Sequence, residues 1–443
     1  MEKIEVTRSA PVAGEYDVVV CGGGSAGFVA AIAAARSGLR TALVERFGFI
    51  GGTAVTGYVA PISGFFLHQR QVVGGIPFEF IGRMEQLGGA KIEYPRGHVS
   101  FDPEVYKLVA QRMVCEAGVE VYTNSYITDC VAGGGHVSAL IIENKNGAEA
   151  LRASCFIDAT GDADLCRMAG VELLPDPVEG LQPLSMCFVI SGVDLTTPLL
   201  RDCIHHDGHV PRSVNDVIGA MLRQAYQDGE VPQFGGPWFN SLINGDLVTV
   251  NVTRAPADAR DNRAMRDAEF ALREDMFRLF GKLRETYPEF KDGRIVSSAI
   301  VAGVRETSHI RGCHVLTNEE FFGGTDFADS IALAAHPVDI HSTHDASQKV
   351  QTLTHAAQIP YSSLVSPLCD NVICAGRSVS AEREAFASIR VQATCMAMGQ
   401  AAGVAAGIYC ADRADKGAAA NVSKIDTALL TDKLCALGGI VKI

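Results

Sequence analysis

The chain has 443 residues, with Lys+Arg 38 against Asp+Glu 51, a formal net charge of −13. That surplus of acid argues against the basic face that nucleic-acid phosphates demand and disfavours docking on an anionic membrane surface. Hydrophobic residues make up 47% and charged residues 20%, so the chain is expected to bury a core rather than stay disordered.

At roughly 100–200 residues per domain, this length predicts two to three domains. The 13 cysteines are scattered and form no CxxC pair, which reads as reduced thiols in a reducing compartment. The first residues carry no apolar leader, so a cytoplasmic protein is expected. Glycine, 45 residues, exceeds the roughly 7% norm and points to backbone that turns sharply or approaches something closely.

In chain order, Tyr16–Cys21 is a short apolar run of β-formers, predicted as a buried strand. Ser25–Ser37 is alanine-rich at helical spacing, with Gly38 placed to end the helix. Thr41–Glu45 is a second strand, completing a βαβ unit. Pro103–Ala117 is predicted as a helix with Val105, Leu108, Val109 and Met113 on one face. Val119–Thr123, Ile127–Val131, Val137–Glu143 and Ala150–Phe156 are predicted strands. Asp261–Tyr287 is a long amphipathic helix, with Met265, Ala268, Leu272, Met276, Leu279 and Leu283 facing inward. Ile295–Val304, Gly312–Leu316 and Asn371–Ala375 are predicted strands, and Ile389–Tyr409 a helix. Within that helix Cys395–Ala411 is apolar but interrupted by Gln400. At 17 residues it is short of the roughly 20 a membrane span needs, and reads as a buried helix packed through small residues.

Gly22-Gly23-Gly24-Ser25-Ala26-Gly27 is a GxGxxG that follows a strand and opens a helix, with Glu45 18 residues beyond Gly27 at the end of the next strand. In that context Gly22 makes the tight turn, Gly24 lets a pyrophosphate reach the backbone, and Gly27 lets helix and strand pack. Ser25, Ala26 and the helix N-terminus offer N–H groups to the anion, and Glu45 would hold ribose hydroxyls. The motif alone does not separate NAD from FAD. Arg46 follows Glu45, and Gly51-Gly52-Thr53 is a second glycine turn that resembles the post-acidic GG segment of FAD-binding proteins. Ala159-Thr160-Gly161-Asp162 resembles the turn by which such proteins return to the dinucleotide, and Ala375-Gly376-Arg377 the turn that closes over the flavin.

Four segments in order carry the resemblance: GGGSAG…ERFGFIGGT, IDATGDADL, GVRETSHIRG and IPYSSLV…NVICAGRSVSAEREAFASIRVQATCMAMGQAAG. Over roughly residues 15–410 the chain resembles the FAD-dependent oxidoreductases of the glutathione-reductase-2 and fumarate-reductase-like flavoprotein group. The resemblance implies an α/β fold. A Rossmann-like FAD-binding domain of three-layer β/β/α architecture, residues 1–175 and 366–443, would carry an inserted mixed α+β substrate domain, 176–365. Residues 295–320 are open to returning to the FAD domain. It implies hydride transfer between a small polar organic substrate and flavin N5.

Departures narrow this. The histidine and arginine motifs of fumarate reductases are not evident. The histidine-type covalent attachment after Gly52 is absent, so FAD is expected to be non-covalent. Trp238 is the only tryptophan, which excludes the halogenase WxWxIP, and the hydroxylase GDAAH segment is missing.

The candidate catalytic residues are Arg305, His341, Tyr361 and Arg377, with His344 a weaker one. Arg305 needs Glu306, another acid or an anionic ligand as partner; Arg311 and Arg383, with Arg305 and Arg377, slightly favour a polar or carboxylated substrate. Cys369 and Cys374 have the spacing of disulfide reductases but lie on a late strand, and read as structural. His205, His206 and His209 lack a completing ligand pattern, so no metal site is expected. The expected partner is a small molecule, with no nucleic acid and no membrane; homo-oligomerisation is left open. Two alternatives remain open: a tRNA-modifying type of flavoprotein, and a flavoprotein subunit of a multi-subunit electron-transfer complex.

Overall fold

The computed structural model describes residue 4 and residues 7–94, 97–200, 214–243, 247–343, 345 and 347–443. Its first strand, β1 (Val12–Cys21), ends in four successive side chains, Val18 to Cys21, with no exposure at all. Such an unbroken apolar run suits a central parallel strand covered on both faces. Helix α1 (Ser25–Arg36) and strand β2 (Thr41–Val44) complete the βαβ unit, and Gly38 ends the helix turn with φ +87°. Helix α2 (Pro103–Glu116) is started by the Asp102 side chain, which accepts the Glu104 and Val105 N–H groups.

Strands β3 (Glu120–Tyr122), β4 (Tyr126–Gly133), β5 (His136–Asn144) and β6 (Gly147–Asp158) follow. The large sheet has the order β3-β2-β1-β6-β5-β4. Its β3, β2, β1 and β6 neighbours pair in parallel, whereas β4, β5 and the start of β6 form an antiparallel meander. β6 thus serves two layers, and its last residues, Phe156 to Asp158, also pair in parallel with a strand from late in the chain.

A second, four-stranded antiparallel sheet is built from β7 (Phe188–Ser191), β8 (Phe234–Ser241), β9 (Val248–Thr253) and β10 (Arg294–Ser298), in the order β8-β9-β7-β10. Two helices pack on it, α3 (Val214–Gln227) and α4 (Asn262–Thr286). The α4 face follows the heptad-like spacing read from the sequence: Ala268, Leu272, Met276, Leu279 and Leu283 are buried.

The late strand is β11 (Val372–Cys374), followed by α5 (Arg383–Ile389) and α6 (Gln392–Lys416). The sequence predicted one helix over Ile389–Tyr409; the chain instead breaks at Val391, whose extended ψ of 156° starts α6 afresh. Gly312–Leu316 is not a strand, because its backbone finds only isolated partners, such as Val365 and Ala381. The predicted strand at 295–304 stops at Ser298.

α6 crosses α1 closely. A Cβ on Gly399 would lie 2.1 Å from Ala26 O, and one on Gly403 would lie 2.3 Å from Ala30 O. The helix stretch Gln392–Ala419 is apolar and long enough to cross a membrane, and 83% of its most apolar window is buried inside the fold.

The main core draws on residues 16–171 and 310–441, while a second core, Phe188 to Phe290, lies under the antiparallel sheet. Residues 321–365, assigned from sequence to the inserted domain, place Ile331, Leu333, Ile359, Tyr361 and Leu364 in the main core.

Candidate active site

The turn from β1 into α1 is made by backbone that only glycine supplies at Gly22, with φ +97° and the position a Cβ would take only 2.7 Å from Ala159 O. Gly27 lies so close that a Cβ would meet Gly22 O at 1.7 Å. At Gly24 the situation differs: the nearest atom to an added Cβ is Gly52 Cα, at 3.8 Å. The two glycine turns therefore face each other at the N-terminus of α1 and leave an open cradle. They are tied by the Gly51 N–H donating to Gly23 O at 2.9 Å. No side chain caps α1 and no acidic residue stands in its first turn. The buried Ser25 hydroxyl also has no partner. These free donors suit an anion.

Glu45 is buried below the cradle and accepts the Gly23 N–H at 2.7 Å and the Phe47 N–H at 2.9 Å. Burial pushes its carboxyl up, and those two backbone bonds pull it back. Arg46 is exposed, its guanidinium 5.0 Å from the centre of the Phe47 ring. Thr53 opens a short helix, Thr53–Thr56, after Gly52.

The two later turns meet here. Ala159 N–H donates to Cys21 O, and Asp158, fully buried, holds the turn by accepting from the Thr160 N–H and hydroxyl and the Cys166 N–H. Asp162 Oδ1 accepts from Arg377 Nη2 at 2.8 Å and from the Thr307 hydroxyl at 2.6 Å. A Cβ on Gly161 would lie 3.0 Å from Arg377 Nη2, and one on Gly376 would lie 3.1 Å from Ala26 Cβ. Arg377 Nη1 is buried without a partner. At the start of α6, Val391 provides no side-chain cap, and the buried Gln392 Oε1 and Thr394 Oγ1 are unpartnered. An open glycine cradle, two uncapped helix N-termini and unpartnered polar atoms fit a dinucleotide with a polar ring at its far end.

The family profile described as FAD dependent oxidoreductase matches residues 17–433. The chain belongs to this family. Its cofactor is FAD. It is 31% identical over 195 residues to digeranylgeranylglycerophospholipid reductase 2 of Methanothermobacter thermautotrophicus, covering 41% of this chain and 48% of that protein. It is 56% identical over 85 residues to dihydrolipoyl dehydrogenase of Trypanosoma brucei brucei, covering 19% of this chain and 17% of that protein. The chain spans less than half the length of these curated relatives. A geranylgeranyl bacteriochlorophyll reductase-like structure from Thermoplasma acidophilum is similar, with a TM-score of 0.45 and 13% identity, covering 96% of this chain and 91% of that one.

A chain of buried and partly buried polar groups runs from the end of the second sheet to the residues just before α6. Arg305 Nη1 donates to Pro183 O at 2.6 Å and to Ser185 Oγ at 2.8 Å. Ser185 Oγ also accepts from Arg254 Nη1 at 2.6 Å and donates to Thr253 O. Arg254 Nη2 lies 3.2 Å from His341 Nδ1, and His341 Nε2 lies 3.1 Å from Asp339 Oδ2. Arg390 Nη2 donates to Asp339 O at 2.8 Å and to Gln182 Oε1 at 3.3 Å. Arg254 is flattened against backbone, for a Cβ on Gly235 would sit 2.2 Å from its Nε.

A guanidinium can only donate, so His341 Nδ1 accepts and the ring proton lies on Nε2, directed at Asp339. Burial and the neighbouring Arg305 push the His341 pKa down to about 3, against the pull of Asp339. The ring is neutral, with both nitrogens engaged. Burial pushes Arg254 down to about 10 and moves Arg305 and Arg390 in the same direction.

Several expectations change. Glu306 is not the partner of Arg305: its carboxylate accepts the Gln182 N–H at 3.1 Å and lies 3.9 Å from His309. Arg311 pairs with Glu172 and Arg383 with Glu179, both on the surface side, so neither adds free charge to the site. Tyr361 is buried and donates its hydroxyl proton to Val422 O at 2.9 Å, inside the main core, which leaves no hydroxyl to offer a substrate. Arg377 is held by Asp162 rather than swinging free. Cys369 and Cys374 are free thiols. His205, His206, His209 and His344 lie outside the described residues. Sequence reasoning missed Arg254, Arg390, Gln182 and Asp339. The available signal was an arginine directly after each of two apolar runs, VTVNVT and EAFASI, where a solvent-facing residue is not expected.

Proposed function

We propose that this oxidoreductase transfers a hydride equivalent between a small polar organic substrate and non-covalently held FAD. The observation that supports it is the direct continuity between the FAD loops and the buried polar chain. Arg390 stands two residues before Gln392, the first residue of α6, and Arg305 two residues before Thr307, which bonds Asp162. FAD, when bound, supplies the electron-pair acceptor or donor.

The protein's own residues divide the remaining work. Gly22, Gly24, Ser25, Ala26 and Gly27 receive the pyrophosphate at the α1 N-terminus, and Glu45 takes the ribose hydroxyls. Gly51, Gly52 and Thr53 shape the facing wall, while Ala159, Gly161, Asp162, Gly376 and Arg377 close the far turn. Second-sheet contacts set the segment after Thr53: Asn240 Nδ2 donates to Ala60 O at 2.9 Å, Ile300 N–H to Thr56 O at 2.7 Å, and the Tyr58 hydroxyl pairs with Ser297 Oγ at 2.9 Å. Gln392 Nε2 donates to Val59 O at 2.8 Å. The substrate side is thus fixed by the sheet and by α6 together, which orients a small ligand and excludes water.

The test is anaerobic. The purified protein is offered a panel of small polar organic oxidants and reductants while the visible flavin band is followed. Bleaching or reoxidation by at least one such compound is expected. Response only to electron-carrier proteins would overturn the reading in favour of an electron-transfer subunit.

A further inference from the structure

We infer that Arg254, Arg305 and Arg390 form a binding site for one carboxylate of the substrate, with Gln182 as a neutral donor beside them. This rests on the substrate-side reading above and deepens it.

Three guanidiniums meet here, each lowered by burial and each repelled by a neighbouring arginine. The carboxylates whose charge reaches them are Asp339 and Glu306. His341 is neutral, and burial also pushes His309 down to about 4 and His336 downward. The nearby Arg377 is matched by Asp162. The Cys187 thiol, near Arg254 and Arg305, is pushed up to about 11 by burial and is neutral. Among the described residues, three guanidiniums against two carboxylates leave a positive excess in this buried and partly buried cluster. An uncompensated buried charge is costly, and a monoanion removes the deficit.

Unused donors point the same way: among the described residues, Arg390 Nε and Gln182 Nε2 are buried without a hydrogen-bond partner. Gln182 itself has no solvent exposure, and its Oε1 is already occupied by Arg390 and the His341 N–H. Among the described residues Arg305 bonds through Nη1 alone, leaving Nε and Nη2 uncommitted. These donors belong to side chains that already touch one another through Ser185, Arg254, His341 and Asp339. Planar guanidinium forks match the two oxygens of a carboxylate. A phosphate dianion would overshoot the charge and leave a negative excess in the same dry space.

The remaining side chains act as positioning residues. His341 holds Arg254 through Nδ1 and links it to Asp339, and Ser185 accepts from both Arg254 and Arg305. The site is therefore shaped before any ligand arrives, which limits the ordering cost of binding.

The experiment is a calorimetric titration of the holoprotein with sodium acetate, acetamide and inorganic phosphate at constant ionic strength and neutral pH. Saturable heat is expected with acetate, none with acetamide, and weaker binding with phosphate. Arg305→Gln should weaken acetate roughly tenfold, and Arg305→Lys should restore part of the loss, because a point charge does not reproduce the fork. Both should keep wild-type flavin content. If Arg305→Gln does not fold, Arg390→Gln serves in its place with the same expectation. Equal binding of acetate and acetamide, tighter phosphate binding, or acetate affinity unchanged in the folded variants would overturn the assignment. Acetate binding that leaves the visible flavin band untouched would preserve the anion site and sink its placement on the substrate side of the flavin.

Discussion

Arg377 Nη2 and Asp162 Oδ1 lie 2.8 Å apart and join two turns more than two hundred residues apart in the sequence. The same Asp162 oxygen accepts from Thr307, so a single carboxylate fastens the ATG turn, the AGR turn and the segment leading from Arg305. Both partners of the ion pair are mostly buried, which is where such a pair has mechanical consequence rather than being screened away.

Removing that tie should loosen the cofactor rather than unfold the protein. Arg377→Ala is expected to weaken FAD retention about tenfold, or about 1.4 kcal/mol. Asp162→Asn should do less, because the amide oxygen still accepts. A double-mutant cycle on FAD affinity should show coupling of about 0.5–3 kcal/mol. Additive effects of the two substitutions would show that the pair does not act as a unit.

The glycines of the cradle should separate by role. Gly24→Val should fold, since an added Cβ has its nearest neighbour at 3.8 Å, and yet lose FAD because the side chain fills the pyrophosphate space. Gly27→Ala should fail to fold, with a Cβ placed 1.7 Å from Gly22 O. Glu45→Ala should retain more FAD than Gly24→Val, having lost hydrogen bonds of about 1.5–3 kcal/mol each rather than the space itself. Circular dichroism and flavin content check all three. A yellow, folded Gly24→Val protein would disprove the placement.

The helix crossing behind the cradle is set by backbone proximity. In Gly403→Val the new side chain would meet Ala30 O at 2.3 Å and Ala33 Cβ at 2.7 Å. Overpacking of this kind costs about 1–3 kcal/mol, so the melting temperature should fall. An unchanged melting temperature would mean that α1 and α6 separate without cost.

Stability should depend on acid through buried neutral histidines. Folding holds His341 at about 3 and His309 at about 4, both below the ordinary value of 6.5. The unfolded chain therefore takes up protons first as pH drops. Stability from these groups is complete above about pH 6.5 and declines as pH falls toward their folded values, at about 1.4 kcal/mol per pH unit for each proton. The groups facing His341 are Arg254, Arg305 and Asp339, and those affecting His309 are Val379 O, Arg377, Asp176 and Arg260. Melting temperatures measured from neutral to mildly acidic pH should fall, and His341→Gln should flatten the slope. A slope identical in the variant would show that His341 is already charged in the folded state.

The sequence made the cradle legible because its parts are local. Gly22 to Gly27, Glu45 and the Gly51-Gly52 pair lie in or directly after one βαβ unit, where short-range spacing dictates geometry. The helix over Asn262–Thr286 was legible for a similar reason: its apolar residues recur at helical period. The arginine cluster was not. Gln182, Arg254, Arg305, Asp339 and Arg390 come from five separated segments, and only tertiary packing brings them together. Helix α3 was overlooked although Val214, Ile218, Leu222 and Ala225 share a buried face. The break at Val391 was invisible because β-branched residues tolerate both a helix interior and its extended cap.

The most direct test of the account is the visible difference spectrum of the bound flavin during acetate titration, in the wild type and in Arg390→Gln. A saturable perturbation of the flavin band is expected in the wild type, with a midpoint matching the calorimetric affinity, and a markedly weaker one in the variant. A flavin spectrum unmoved while acetate binds would contradict it, because the buried arginines would then not open onto the flavin.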